Sequence, residues 1–213
     1  LKQRAKFNED PSEQIALLEV LSEGWKNDPD TLPLLKTSTT HANEQVRWAA
    51  VQAIASGWKE DPDTLPWLKQ ATTDADWAVR YAAVQAIATG WKEDPDTLPL
   101  LKQATTDADE DVRSAAVEAI ASGWIHEPGI FELLSQIALT DPFVREENWQ
   151  ENPRQTALEA LLKHYVDCPA DTLRERPEVV EILRDRSIND SDEPLRQFAQ
   201  NKLAEWEGVI VDS

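Results

Sequence analysis

Residues 58–90 decide the fold, and they read WKEDPDTLPWLKQATTDADWAVRYAAVQAIATG. The same stretch returns at residues 91–123 with six differences, so 27 of 33 positions are identical. Residues 25–57 differ from residues 58–90 at ten positions. Self-similarity at a fixed period of this length is the signature of a repeat protein. The sequence therefore predicts a stack of 33-residue units rather than one globule around one core.

Each unit is predicted to form two helices. Asp63 is a candidate cap for the first helix, which ends near Thr72, and Asp76 is a candidate cap for a second helix over residues 77–89. The second helix carries one apolar stripe of helical period, formed by Val79, Ala82, Ala83, Ala86 and Ile87. Gly90 is expected to stop it in the left-handed conformation. Neither helix can bury its apolar stripe alone, so the units must stack.

We expect one all-α, right-handed α-solenoid over residues 1–213, made of about five to six helix pairs. Its predicted units are a truncated first unit (1–24), three near-identical units (25–57, 58–90 and 91–123) and two irregular units (124–166 and 167–213). The irregular units carry insertions around Phe143–Asn152, which is a second candidate contact loop, and near Arg174–Val180. The chain has no methionine, and Leu1-Lys2-Gln3 resembles Leu101-Lys102-Gln103 in the middle of a first helix. We therefore expect a fragment of a larger protein.

The composition excludes several classes of function. A net charge of −19 repels phosphate backbones and anionic bilayers, so neither nucleic acid nor a membrane is an expected partner. No apolar run is long enough to span a bilayer. The single cysteine, Cys168, rules out a disulfide framework and fits a reducing, cytoplasmic location.

The second helix carries a recognisable motif, Asp74-x5-Arg80-x-Ala82-Ala83-Val84-x-Ala86-Ile87, which is copied at Asp107–Ile120. This motif resembles short HEAT repeats of the kind also called PBS-lyase HEAT-like. The resemblance implies a ladder in which aspartates and arginines bind loops and neighbouring units. The matching positions are Arg47, Asp74, Arg80, Asp107, Arg113, Asp141, Arg154, Asp190 and Arg196. His41 replaces the aspartate in the first full unit, which leaves its ladder contact open.

A longer motif, Gly-Trp-Lys-x-Asp-Pro-x-Thr-Leu-Pro-x-Leu-Lys, resembles the C-terminal HEAT arrays of bacterial, especially cyanobacterial, NACHT-type NTPases. That resemblance implies a sensor or recognition array with the NTPase domain upstream in the same full-length chain. None of the six glycines here forms a phosphate-binding loop.

No arrangement of residues predicts catalysis, a metal site or a cofactor. The three histidines lie in different units. The acidic pairs Asp61/Asp63 and Asp94/Asp96 recur in the units, as capping residues would and a catalytic pair would not. Cys168 is expected to be an ordinary thiol. The tryptophans that follow glycine are expected to be packing wedges rather than a ligand cage; they are Trp25, Trp58, Trp91 and Trp124.

The near-identical units differ on one side of the second helix, opposite the side that packs. In a solenoid of this kind, second helices line the concave wall, which is the binding surface. Aromatic residues beside acids predict a basic protein or peptide as partner. The candidate residues are Glu44, Trp48, Gln52, Trp77, Tyr81, Gln85, Glu110, Asp111, Ser114 and Glu118. Neutral drift on a solvated face is the alternative.

The sequence thus predicts a non-catalytic protein-protein interaction or scaffolding module, and two other functions are alternatives. A phycobilin lyase-like HEAT protein would cradle a tetrapyrrole, and added bilin would then give a red-shifted complex. No residue stands out for handling the propionates or the thioether of such a chromophore. A DNA-repair HEAT enzyme needs a basic concave wall, and this wall is predicted to be acidic.

Overall fold

The computed structural model describes residues 10–165 and 177–211. Every regular element within these ranges is an α-helix, which confirms the all-α repeat fold. The helices are α1 (Pro11–Gly24), α2 (Thr31–Ser38), α3 (Glu44–Gly57), α4 (Thr64–Ala71), α5 (Trp77–Gly90), α6 (Thr97–Ala104), α7 (Glu110–Trp124), α8 (Ile130–Thr140), α9 (Pro153–Tyr165), α10 (Pro177–Asn189) and α11 (Glu193–Val211). No described helix has the length and hydropathy that crossing a bilayer requires. Cys168, Leu1–Gln3 and residues 174–176 of the second predicted insertion lie outside the described residues.

The second helices begin as the sequence predicts. The Asp76 carboxylate accepts the backbone N–H groups of Ala78 at 3.0 Å and Val79 at 3.4 Å. Asn43 and Asp109 cap α3 and α7 from the equivalent positions. These side chains satisfy amides that have no partner within the first turn of a helix, which fixes where each second helix starts.

The predicted cap of the first helix is wrong. Asp63 occupies the residue before α4, but its carboxylate makes no capping hydrogen bond and its backbone is already helical. Its own N–H donates to the Asp61 carboxylate at 3.0 Å. The Asp63 carboxylate instead binds Lys36 of the preceding unit, and this ion pair explains why the side chain is unavailable for capping.

The predicted left-handed stop at Gly90 is also wrong. Helix α5 runs through Gly90, and the chain leaves the helix at Trp91, with φ −131°. Among the described residues, positive φ is confined to Gly129, at +82°, directly before α8. After the exit, the Asp94 N–H and the Thr97 hydroxyl both donate to the Trp91 carbonyl, at 3.0 and 2.6 Å. The chain therefore leaves the helix without a left-handed glycine.

The chain divides into two compact units, Leu1–Ala116 and Val117–Ser213. In the first unit, Leu18 of α1, Leu35 of α2 and Ile54 of α3 share one buried cluster. A second cluster joins Val51 of α3 to Leu68 of α4 and to the stripe of α5. Each cluster thus needs one first helix and two second helices. Emptying one of these leucine sites would cost roughly 2–5 kcal/mol.

In the second unit, α8 packs on α9 and α10 packs on α11. The buried side chains of this unit include Leu134, Leu158, Leu161 and Leu183, none of which has exposed surface. The first pair lies within residues 124–166 and the second within residues 167–213.

Candidate partner-binding face

The second helices α3 and α5 pack on each other in the first unit. Their alanine stripes face the core, and Ala50 and Ala83, at equivalent positions, have no exposed surface. The opposite side of each helix carries the positions at which the repeats differ. We call this side the variable face; it consists of Glu44, Trp48 and Gln52 on α3 and of Trp77, Tyr81 and Gln85 on α5.

The aromatic residues of the variable face remain partly open to solvent. Trp48 is 37% exposed and Trp77 is 41% exposed, while Tyr81 is half-buried. The Trp77 and Tyr81 rings meet edge-to-face, with centroids 6.5 Å apart. The Gln85 amide donates to the Tyr81 hydroxyl oxygen at 2.7 Å. The ring pair and this hydrogen bond hold the side chains of α5 in one arrangement before any partner arrives.

The other predicted site residues differ in how far they are exposed to solvent. Glu44, Gln52 and Gln85 are exposed, and Glu110 and Asp111 on α7 are half-buried. One exposed carboxylate, Glu44, and two exposed amides, Gln52 and Gln85, therefore share α3 and α5 with the aromatic rings.

Ser114 does not reach the surface. It occupies the repeat position of Trp48 and Tyr81 but has no exposed surface, and its hydroxyl has no hydrogen-bond partner. A serine is too short to extend past its neighbours as an indole or a phenol does, so a partner in solution has no access to it.

Glu118 belongs to the second unit and is exposed. Partial burial raises its pKa, and the neighbouring carboxylates of Glu151 and Glu159 raise it further. Glu118 thus lies in an acidic environment of its own.

The arginines at the ladder positions bind across neighbouring repeats. The Nε and Nη2 groups of Arg80 donate hydrogen bonds to the two carboxylate oxygens of Asp107 at 2.8 and 2.7 Å. Its third nitrogen, Nη1, donates to the backbone carbonyl of Asp74 at 3.0 Å. Arg47 makes the same forked contact with Asp74, at 2.9 and 2.8 Å. Arg113 donates to the Asp107 carbonyl at 3.0 Å. Such forked pairs fix both distance and angle between repeats.

The contacts of Asp74 and Asp107 favour the ionised form of both carboxyl groups. Burial opposes ionisation of Asp107, but the hydrogen bonds from Arg80 and from the backbone N–H of Asp109 lower the pKa of Asp107 below its ordinary value. The pKa of Asp74 is lowered in the same way, against its burial, by Arg47 and by the N–H of Asp76.

His41 takes over one part of the missing aspartate's role. Its Nδ1 accepts the backbone N–H of Asn43 at 3.0 Å, as the Asp74 carboxylate accepts that of Asp76 at 2.8 Å. Arg47 still donates to the His41 carbonyl at 2.9 Å. The turn before α3 is therefore closed without a carboxylate.

The second compact unit contains an arginine–aspartate pair of the same kind. Arg154 forks onto Asp190 at 2.9 and 2.8 Å and also donates to the Asp141 carbonyl at 2.7 Å. Arg196 donates to the Asp190 carbonyl. Because Arg154 and Asp190 are both almost fully buried, this pair is the most enclosed of those described here.

The recurring acidic pairs bind lysines of the preceding repeat. Lys69 contacts Asp94 at 3.1 Å and Asp96 at 2.7 Å. Lys36 contacts Asp61 at 3.5 Å and Asp63 at 3.0 Å. These pairs are occupied by structural ion pairs, and each repeats at the 33-residue spacing.

Two of the tryptophans that follow glycine contribute to packing. Trp58 lies against the cluster of Leu18 and Ile54, and Trp91 lies against the cluster of Leu68 and Ile87. Their rings are half-buried, which leaves little surface for a ligand cage.

Within residues 10–165 and 177–211, no three His, Cys, Asp or Glu side chains come together in a way that could hold a metal ion.

Sequence reasoning missed one feature. Open grooves of about 410 and 240 Å³ lie along the first helices and repeat from one 33-residue repeat to the next. Trp67 lines the smaller groove, where the neighbouring repeats have Leu34 and Leu100. Extending the comparison of repeats to the first helices would have found this position.

The insertion around Phe143–Asn152 is a candidate contact loop from the sequence. In the structure its side chains Val144 and Trp149 are more than two-thirds exposed.

The model of the family described as HEAT repeats matches residues 1–88 and 64–150, which together span most of the chain. The chain therefore belongs to the HEAT repeat family, whose fold is typical of protein-interaction scaffolds and generally non-catalytic. No curated protein matches this sequence.

Solved structures show the same fold at low identity. A designed armadillo repeat protein in complex with the peptide (KR)4 is 21% identical over 97% of this chain and 99% of that chain, with a TM-score of 0.54. The Escherichia coli protein YibA is 16% identical over 96% and 80%, with a TM-score of 0.57. The Pds5–Scc1 complex matches at 14% identity over 85% and 32%, with a TM-score of 0.58.

Proposed function

We propose that this chain is a non-catalytic protein-interaction module that binds a basic peptide segment of a partner protein on the variable face. One observation carries the proposal. Trp48, Trp77 and Tyr81 are partly exposed on one side of two adjacent helices, at positions where otherwise near-identical repeats differ. The packing side of α3 and α5 is unchanged between the two repeats, so the aromatic substitutions on these two helices lie on the side that does not pack in the core.

The chemistry of the face supports a cationic partner. Tryptophan and tyrosine are the residues that most often dominate binding energy at interfaces, and their ring faces attract ammonium and guanidinium groups. Glu44 is exposed beside Trp48, one helical turn away on the same side of α3. The designed armadillo protein with a similar fold was solved with a peptide of alternating lysine and arginine, which supports the same class of partner for this chain.

Alanine substitution of Trp48 and Trp77 tests the proposal. The probe is a fluorescein-labelled (KR)4 peptide, and its Kd is measured by anisotropy together with the melting temperature of each variant. We expect each substitution to weaken binding by about tenfold, with little change in melting temperature. Trp25→Ala is the matched control, since Trp25 is 42% exposed but lies off the variable face. A large loss of stability with unchanged Kd would show that the rings only cover the neighbouring helix.

We further propose that the module is the sensor or recognition array of a larger cytoplasmic signalling protein of the NACHT type. The Gly-Trp-Lys-x-Asp-Pro motif supports this setting by its resemblance to such arrays, and the single cysteine fits the cytoplasm. The sequence of the full-length gene is the test. A Walker motif upstream of the repeats would support the proposal, and a gene that encodes repeats alone would contradict it.

A further inference from the structure

The insertion between α8 and α9 exposes two large apolar side chains. Val144 is 72% exposed and Trp149 is 71% exposed, both well above the exposure of Trp48 or Trp77. Both lie in one nine-residue loop, and exposed apolar surface on a loop rimmed by polar residues marks an interaction site. We call residues 143–151 the tryptophan loop.

The tryptophan loop is held by hydrogen bonds at several points. Arg145 forks onto the Asp192 carboxylate at 2.6 and 2.9 Å, and its remaining nitrogen donates to the Gln150 carbonyl at 2.5 Å. The Gln150 side-chain oxygen accepts the backbone N–H groups of Glu146 and Glu147 at 2.7 and 2.8 Å. A loop held by these hydrogen bonds loses little conformational entropy when it binds a partner, because its backbone is already ordered.

The base of the loop is anchored in the core of the second unit. Phe143 is almost completely buried, and the guanidinium groups of Arg145 and Arg154 lie 5.3 and 5.9 Å from the centre of its ring. Asn152 closes the other end, donating to Asp192 at 2.8 Å. The exposure of Trp149 is therefore imposed by the anchored backbone around it.

The surroundings of the loop are strongly acidic. Glu146, Glu147 and Glu151 are exposed within or beside it. Burial raises the pKa of Glu118, and the nearby carboxylates of Glu151 and Glu159 raise it further. Mutually repelling carboxylates are stabilised when a cation is placed among them.

From this geometry we propose that the tryptophan loop is a second docking site, which takes an arginine-rich extended segment of a partner protein. A guanidinium group stacks on the exposed face of Trp149, and neighbouring arginines pair with Glu147, Glu151 and Glu118. Arginine suits this site better than lysine because its planar group stacks on aromatic rings and forks onto carboxylates. Charge selects this occupant, since nucleic acid, anionic lipid and a second copy of this chain, at −19, are all repelled.

The test uses fluorescein-labelled octa-arginine and octa-lysine in a Trp48→Ala/Trp77→Ala background, so that it does not depend on the variable face. We expect Trp149→Ser to weaken octa-arginine binding by about tenfold and to abolish the preference for arginine over lysine. Val144→Ser is a second variant, expected to weaken binding less. Trp25→Ser is the matched control and is expected to leave Kd unchanged, and melting temperatures verify that each variant folds.

The charge of the site is tested separately. Glu151→Gln is expected to weaken octa-arginine binding about threefold, whereas Glu181→Gln, an exposed glutamate elsewhere in the second unit, is expected to have no effect. An unchanged Kd for Trp149→Ser, or an equal loss for Trp25→Ser, overturns the proposal. Sedimentation that shows a dimer lost on Trp149→Ser also overturns it, because the loop would then serve self-association.

Discussion

Asp74 and Asp107 each make two kinds of contact with one carboxylate. Each accepts a forked arginine from the preceding repeat, and each accepts the backbone N–H two residues further along, at 2.8 Å for Asp74 and 2.9 Å for Asp107. The first contact joins repeats and the second shapes the turn before a second helix. Loss of the charge therefore affects both at once.

Asp107→Asn is expected to destabilise the protein at pH 7 by roughly 1–3 kcal/mol, because Arg80 then loses its ionised partner. The folded pKa of Asp107 is depressed, so its contribution is present above the unfolded pKa, about 3.9, and is lost as pH falls through the folded pKa. Urea unfolding of variant and parent should therefore differ most near pH 7 and converge as the pH falls below about 4.

Asp96→Asn is the control for that comparison. Asp96 also binds a basic side chain, Lys69, but its own side chain is 73% exposed, and exposed pairs contribute roughly 0–1 kcal/mol. Equal losses for the two variants would mean that the forked geometry adds nothing beyond an ordinary surface ion pair.

At the scale of the element, each turn from a second helix to the first helix of a near-identical repeat contains a buried threonine. Thr64 is fully buried, and its hydroxyl donates to the Trp58 carbonyl at 2.7 Å. Thr31, at the same repeat position, is equally buried, but its hydroxyl oxygen has no hydrogen-bond partner. The two positions therefore form a matched pair that differs in one hydrogen bond.

Thr64→Val is expected to cost about 1 kcal/mol, because the valine keeps the shape but removes the donor to the Trp58 carbonyl. Thr31→Val should be neutral or stabilising, since it removes a buried hydroxyl that lacks a partner. Denaturant midpoints of the two variants give the comparison, and a loss at Thr31 as large as that at Thr64 would contradict this account of the turn.

The glycines at the ends of the second helices look in the sequence like left-handed stops, at which alanine would destabilise the protein. The structure predicts the opposite effect of alanine. Gly57 has a negative φ, and a Cβ added there would meet nothing within 4 Å. Gly57→Ala should therefore stabilise the protein by about 0.5–1 kcal/mol. Gly129→Ala should destabilise it, because φ is +82° there. Thermal melts of both variants check the two signs, and destabilisation by Gly57→Ala would restore the left-handed interpretation.

Much at this scale could be predicted from the sequence. The apolar stripe and the cap at Asp76 define α5 to within one residue, because periodicity and capping are local. The role of Asp63 could not be predicted, because its carboxylate binds Lys36 from the preceding repeat. The anchoring of the tryptophan loop could not be predicted either, since Arg145 and Asp192 are 47 residues apart and belong to no repeated motif.

At the scale of the whole molecule, the structure shows where acidic side chains that give the net charge of −19 lie. Some of the 40 acidic side chains are paired with cations of neighbouring repeats, by the forked arginines and by the lysines that bind Asp61, Asp63, Asp94 and Asp96. Others remain exposed beside aromatic rings, on the variable face of the first unit and around the tryptophan loop of the second. Aromatic contacts then select the partner, and charge attracts it.

Binding of the (KR)4 peptide should accordingly weaken with salt. Raising the ionic strength from about 0.1 M to about 1 M shortens the screening length from about 10 Å to about 3 Å, and the Kd is expected to rise by at least about tenfold. Anisotropy titrations at the two ionic strengths measure the effect. A Kd that is independent of salt would mean that the carboxylates take no part in recognition.

Photo-crosslinking tests the central claim most directly. A (KR)4 peptide carrying a benzophenone group is irradiated with the protein, and the modified residues are located by mass spectrometry. Binding on the variable face predicts crosslinks within residues 44–52 of α3 and 77–85 of α5, lost in the Trp48→Ala/Trp77→Ala variant. Crosslinks that leave both segments unmodified and fall instead along the first helices, residues 64–71 and 97–104, would contradict it.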